Sequence, residues 1–233
     1  MTHQDKNVKI LLFGASGMVG QGALRECLLA ADVTAVIAIG RKPLDAEHPK
    51  LRQFIVDDLA DLDRYRDDLL DVSGCVFCIG TTSAGMSEAD YRRVTFDLTL
   101  GVANALVQPA PGMTFIYVSG AGADSTGKGS VMWARVRGET ENAILALPFA
   151  HSFVLRPAII QPLHGARSKT SSYRLLYKLM APLFPLLRWL MPGTVLSTEI
   201  LGQAMLTLMR SGAPKRVLES PDIRRLVDQS GQN

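Results

Sequence analysis

The chain has 233 residues, a formal net charge of +3, and a composition that is 47% hydrophobic and 20% charged. That length can bury one sizeable core, and the composition is that of a globular protein without low-complexity tracts. The small net charge leaves no general basic footprint, so no nucleic acid partner is expected.

The first seven residues, Met1-Thr2-His3-Gln4-Asp5-Lys6-Asn7, are polar, and no secretory signal is expected. Ile10–Phe13 follows as an apolar run, too short and too abruptly ended for a helix. It runs into Gly14-Ala15-Ser16-Gly17-Met18-Val19-Gly20, and Gln21–Ala30 then has helical spacing. Strand, glycine turn and helix in that order make a pyrophosphate cradle for a dinucleotide. Gly14 permits the tight turn, Gly17 lets the backbone approach the phosphates, and Gly20 lets helix and strand pack closely. Free N–H groups and the helix dipole then face the anion.

Further strands are expected at Ala35–Ile39, Gln53–Val56, Cys75–Ile79, Thr114–Val118 and Ser152–Leu155. Helices are expected at Asp61–Leu70, Glu88–Leu106 (with Ser87 as N-cap) and Met132–Leu147. Nearly continuous apolar strands alternating with helices predict an α/β fold, a doubly wound parallel sheet of the NAD(P)-binding Rossmann type.

The character changes from Gln161. Ser168-Lys169-Thr170-Ser171-Ser172 is loop-like, and Tyr173–Met191 is apolar but broken by Lys178, Pro182, Pro185 and Arg188, so no membrane-spanning helix is expected there. The run Leu175–Phe184 reads as core packing, as a lid over a lipophilic substrate, or as a patch for peripheral membrane or dimer contact. Ser197 caps a helix to about Met209, and a short strand, Val217-Leu218-Glu219, precedes a last helix opened by Ser220-Pro221. Residues 1–233 thus form a single domain, monomeric or homodimeric, with 161–212 a small helical C-terminal cap on the substrate side.

The strand ends carry the candidate chemistry. Gly40-Arg41-Lys42 lacks an acidic group for a ribose 2′-hydroxyl, and its two cations suit a 2′-phosphate, which favours NADP over NAD. Asp57-Asp58-Leu59 is an adenine contact or an ordinary turn. Cys78-Ile79-Gly80-Thr81 lets the backbone pass beside the cofactor, with Thr81 available to ribose or phosphate. Ser119 ends its strand where its hydroxyl meets a substrate carbonyl. Trp133 and Arg137 share a helical face, and Pro157 fixes the loop beside the nicotinamide.

Cys75 and Cys78 are spaced like a redox or metal pair but lie on one strand, pointing to opposite faces. No metal site is expected. With Cys27 they make an odd, sparse set, from which a reducing cytoplasm is expected.

The glycine turn, Gly40-Arg41, Ser119-Gly120-Ala121-Gly122-Ala123, Arg137-Gly138-Glu139 and Leu155-Arg156-Pro157 together resemble the atypical short-chain dehydrogenase/reductase superfamily, in its small branch around the Tat-interactive oxidoreductases. The resemblance runs from about Lys9 to Arg210. It implies an oxidoreductase using NADPH on the carbonyl of a small, apolar, unidentified substrate, with a serine orienting the carbonyl, a tyrosine donating the proton, and a lysine four residues on that lowers the tyrosine pKa and holds the ribose, whose hydroxyls Arg137 can still grip. Ser119 matches. Trp133 stands at the tyrosine position and Arg137 at the lysine position, so the acid–base pair does not carry over. Tyr117, His164 and Tyr173 are the alternative polar groups. Cys78, Ile79 and Pro157 complete a cofactor set with Gly14, Ala15, Ser16, Gly17, Met18, Val19, Arg41, Lys42, Asp57, Asp58, Leu59, Gly80, Thr81, Ser119 and Arg137. The rival function is a catalytically degenerate NADPH sensor acting through a protein partner.

Overall fold

The structure, a computed structural model, describes residues 7–167, 184, 187, 191 and 193–231. The strands β1 (Val8–Phe13), β2 (Val33–Gly40), β3 (Leu51–Ile55), β4 (Gly74–Phe77), β5 (Thr114–Val118), β6 (His151–Arg156) and β9 (Val217–Glu219) form one sheet in the order β3-β2-β1-β4-β5-β6-β9. Every neighbouring pair in it is parallel. The connecting helices are α1 (Met18–Leu29), α2 (Arg66–Leu69), α3 (Glu88–Arg92), α4 (Leu98–Val107), α5 (Met132–Ala146), α6 (Thr198–Ser211) and α7 (Ser220–Ser230). The doubly wound α/β sheet expected from the sequence is therefore present.

Alternating side chains explain why the strand sequences read as unbroken apolar runs. Ile10 and Leu12 of β1 join Val36, Ala38, Val76 and Ile116 on the face covered by α1 and α6. Leu11 and Phe13 join Ile37, Ile39, Cys75, Phe77 and Phe115 on the other face, against α4 and α5. Cys75 belongs to one core and Cys78 packs against the other, so their thiols stay apart and all three cysteines are free.

Several boundaries differ from expectation. Helix α1 starts at Met18 because Gly17 is its N-cap, which places Gly20 inside the first turn. The expected helix at Asp61–Leu70 shrinks to a 3₁₀ turn at Asp63–Tyr65 and the single turn α2, since only Leu62, Tyr65 and Leu69 supply apolar contacts. The helix expected over Glu88–Leu106 is interrupted by a π-helical turn at Arg93–Asp97.

A second, two-stranded parallel sheet pairs β7 (Ile159–Gln161) with β8 (Val195–Ser197). Neither strand was expected from the sequence, because their pairing joins segments more than thirty residues apart. This pairing delivers α6 directly onto α1. A Cβ on Gly22 would lie 2.5 Å from the Thr198 carbonyl oxygen, and one on Gly202 would lie 2.9 Å from that of Gly22. Leu201, Ala204, Met205 and Leu208 then share a core with Ala23, Leu24 and Cys27. Helix α6 thus packs as a layer against the sheet domain, its apolar stripe satisfied by α1. Residues 168–183, including Tyr173 and most of the apolar run, lie outside the described residues.

Candidate functional site

Among the described residues, the cofactor candidates other than Arg137 lie on the segments that follow the carboxyl ends of β1 to β6. The turn after β1 is held by contacts that exclude side chains. Gly14 has φ +80°, and a Cβ there would sit 2.8 Å from the Cys78 carbonyl carbon. A Cβ on Gly20 would come within 2.1 Å of the Gly14 carbonyl oxygen. Gly17 donates its N–H to the same oxygen at 2.9 Å, closing the turn. No side chain caps α1 and its first turn holds no acidic residue, so its leading N–H groups and positive dipole end stay available to an anion. Ala15 is buried, while Ser16, Met18 and Val19 are half-buried around the turn.

After β2, Arg41 and Lys42 are exposed and have no hydrogen-bond or ion-pair partner among the described residues. After β3, Asp58 accepts the Ala60 N–H at 2.9 Å, a local turn, while Asp57 is exposed. The side chain of Leu59, named with them as a cofactor contact, is committed to the core at 7% exposure because the turn folds it under the sheet edge. After β4, Cys78 and Ile79 are half-buried, and Gly80 and Thr81 are exposed. Burial pushes the Cys78 thiol far above its ordinary value. After β6, Pro157 is buried and its carbonyl accepts the Ala121 N–H at 3.1 Å, joining this loop to the one after β5.

Ser119 departs from its expected role. Its hydroxyl donates to Glu141 Oε1 at 2.5 Å rather than to the open site. Glu141 lies four residues after Arg137 on α5, one turn along the same face, and is 1% exposed. Arg156 fixes that carboxylate, its Nε lying 3.0 Å and 3.1 Å from the two oxygens, and also reaches Glu219 at 3.0 Å. The Glu141 hydrogen bond raises the Arg156 pKa above the usual guanidinium value. The serine proton expected for a substrate carbonyl is therefore engaged, because a buried carboxylate requires donors.

Arg137 reaches the gap between the loops after β4 and β5. A Cβ on Gly80 would lie 3.7 Å from its Nη2, and one on Gly120 would lie 3.7 Å from its Nη1. Its Nε donates to the Tyr91 hydroxyl oxygen at 3.0 Å. Tyr91, 1% exposed at the end of α3, was not singled out from the sequence, and no local pattern marks it. Tyr117 is 1% exposed, and burial pushes its phenol up to about 12, against the opposing pull of Arg137. Trp133 is half-buried, and its indole lies over the loop after β5, 3.3 Å from where a Gly122 Cβ would be.

His164 has φ +53° and its Nε2 pairs with Glu199 Oε2 at 3.0 Å. It lines a small cleft with Gln21, Arg25 and Glu199, apart from the β4 and β5 loops. The Gln21 amide donates to the Ser16 carbonyl at 3.0 Å and to that of Arg167 at 3.2 Å, tying the 163–167 loop to the glycine turn. His151 is exposed at the opposite edge of the sheet, at the start of β6. No helix among the described residues is long and apolar enough to cross a membrane, and those residues hold no cluster of metal-ligating side chains.

No family model matches the chain. It is 32% identical over 160 residues to the protein fmp52, mitochondrial, of Aspergillus clavatus, covering 65% of this chain and 66% of that one. It is 31% identical over 160 residues to the protein HTATIP2 of Rattus norvegicus, covering 66% of this chain and 64% of that one. The matched stretch therefore spans just under two-thirds of these relatives. Among solved structures, a short chain dehydrogenase of Burkholderia cenocepacia in complex with NADP superposes with a TM-score of 0.62 at 16% identity, over 98% of this chain and 96% of that one. The enzyme WbmF of Bordetella bronchiseptica, in complex with NAD+, gives 0.65 at 13% identity, over 97% of this chain and 78% of that one.

The chain therefore has the fold of the NAD(P)-binding short-chain dehydrogenases and is similar in sequence to the fmp52 and HTATIP2 proteins. The same comparisons overturn the expected cytoplasmic location, since the fungal relatives are named as mitochondrial proteins. Sparse unpaired thiols indicate a reducing compartment but do not choose among compartments.

Proposed function

We propose that residues 1–233 form one nucleotide-binding domain that takes NADP(H) and passes hydride to the carbonyl carbon of a small substrate or takes it from the carbinol carbon of the corresponding alcohol. One observation carries this reading. The Gly14–Gly20 turn is folded too tightly against its own backbone and that of Cys78 to admit side chains at Gly14 or Gly20, and it leads into a helix end that no side chain caps, just after β1 at the carboxyl edge of the sheet. Gly14 to Val19 hold the pyrophosphate, and the unpartnered Arg41 and Lys42 meet the adenosine 2′-phosphate. Asp57 and the Cys78–Thr81 backbone flank the adenosine and ribose. Pro157 borders the nicotinamide, beside Ser119 and Arg137. The bound dinucleotide supplies the hydride; this chain's residues position it and exclude water.

Titration with NADPH and NADH tests the reading. Tighter NADPH binding is expected, and failure of both to bind overturns it. A second reading, a nucleotide sensor acting through a protein partner, is favoured by one feature: Trp133 stands where the family places its proton donor, and the Ser119 proton is engaged. Following NADPH absorbance against aldehydes and ketones separates the two, because a sensor consumes none.

A further inference from the structure

Arg137 is a largely enclosed cation without an anion. Its Nε is engaged by Tyr91, yet Nη1 and Nη2 have no hydrogen-bond partner, and the guanidinium makes no ion pair among the described residues. The carboxylates nearest along its own helix are committed elsewhere, Glu139 to Arg92 and Glu141 to Arg156. Burial opposes its charge, while Tyr117, Tyr91 and Glu141 together raise its pKa, so it stays charged at every physiological pH. Burial pushes the Tyr117 phenol up to about 12, so at neutral pH it is uncharged and does not neutralise the guanidinium. An enclosed guanidinium left in this state calls for an anionic ligand.

The geometry selects which anion. With Nε held by Tyr91, the free edge of the fork is the Nη1/Nη2 pair, a match for two carboxylate oxygens. That edge opens between Gly80 and Gly120, at the ends of β4 and β5. The pyrophosphate turn follows β1, one to two strand spacings away, about 5–10 Å. The fork thus lies toward the nicotinamide end, where the substrate is reduced or oxidised. We propose that Arg137 binds a carboxylate of the substrate, so that the site takes oxo acids or hydroxy acids. This rests on the function proposed above.

The test uses pyruvate and benzoylformate against their methyl esters, each titrated into protein saturated with NADP+, which cannot reduce them. Binding is followed by calorimetry. The acids are expected to bind at least about tenfold tighter than the esters, as a gained bidentate ion pair implies. Arg137→Gln removes the preference, and Arg137→Lys, which keeps the charge without the fork, restores part of it. Equal binding of acid and ester, no binding of either, or a preference that survives Arg137→Gln overturns the proposal. So does acid binding confined to nucleotide-free protein, which assigns the fork to a phosphate of the dinucleotide. NADP+ binding is read separately: where it is intact, these failures leave the nucleotide-binding reading standing, and where it is absent both fall. The wild-type comparison of acid with ester decides the matter even if Arg137→Gln does not fold.

Discussion

Ser119 and Glu141 meet in the buried space between β5 and α5, the serine hydroxyl donating to a carboxylate that Arg156 also grips through both oxygens. The pair joins the strand end to the helix that carries Arg137. Loss of one partner leaves the other ion enclosed and uncompensated. Glu141→Ala is expected to cost about 3 kcal/mol of stability, and Arg156→Met a similar amount. Because both changes break one pair, the double variant costs less than the sum. Urea denaturation of the four proteins measures this; strict additivity would refute the coupling.

The glycine turn discriminates between its members. Gly20→Ala places a Cβ 2.1 Å from the Gly14 carbonyl oxygen, whereas Gly17→Ala meets that oxygen at 3.3 Å. Gly20→Ala is therefore expected to weaken NADPH binding by well over about tenfold, through distortion of the N–H array. Gly17→Ala retains more affinity. Fluorescence titration ranks the two, and the reverse order would contradict the assigned geometry.

Gly22→Ala tests a different junction. Its Cβ would stand 2.5 Å from the Thr198 carbonyl oxygen, so α6 must lift from α1. A loss of about 2 kcal/mol is expected, in the range of overpacked cores. Thermal unfolding with and without NADPH checks it: the melting temperature falls, while the increment given by the nucleotide persists.

Arg41→Asp reverses the charge at the end of β2, where the arginine has no partner to lose among the described residues. NADPH affinity is expected to fall at least about tenfold, by loss of a charge-assisted pair to the 2′-phosphate. NADH affinity changes less. Equal losses for both nucleotides would remove the 2′-phosphate role from Arg41.

The buried thiols of Cys27, Cys75 and Cys78 and the Tyr117 phenol together set the alkaline limit of stability. Burial pushes the Cys27 thiol up to about 12 from 9.0, and the Tyr117 phenol up to about 12 from 10.0. The unfolded chain releases these protons first, so stability is full below pH 9 and declines as pH rises from 9 toward 12. Tyr117→Phe is expected to flatten the decline above pH 10. Urea midpoints across that window test it. Iodoacetamide at pH 8.5 should leave all three native thiols unmodified and label them after unfolding, with mass spectrometry as the readout.

The order of elements was legible because a sheet covered on both faces demands long apolar strands, and helices between parallel strands announce themselves by spacing. The strand Thr114–Val118 matches the expected bounds, and the Gly14–Gly20 turn lies where strand and helix meet. Local sequence also identified the sheet edge that gathers Arg41, Gly80, Ser119 and Pro157. It could not supply the partners of those groups. Tyr91 is 46 residues from Arg137, and Arg156 is 15 from Glu141, so their contacts depend on how separate elements pack. The same holds for α6: its apolar stripe says that it must be buried, and only the small glycines at 22 and 202 and the β7–β8 pairing decide that α1 buries it. Periodicity and turn chemistry are written within a few neighbouring residues, whereas the direction of a hydroxyl proton or the free edge of a guanidinium is fixed by charges brought together across the fold.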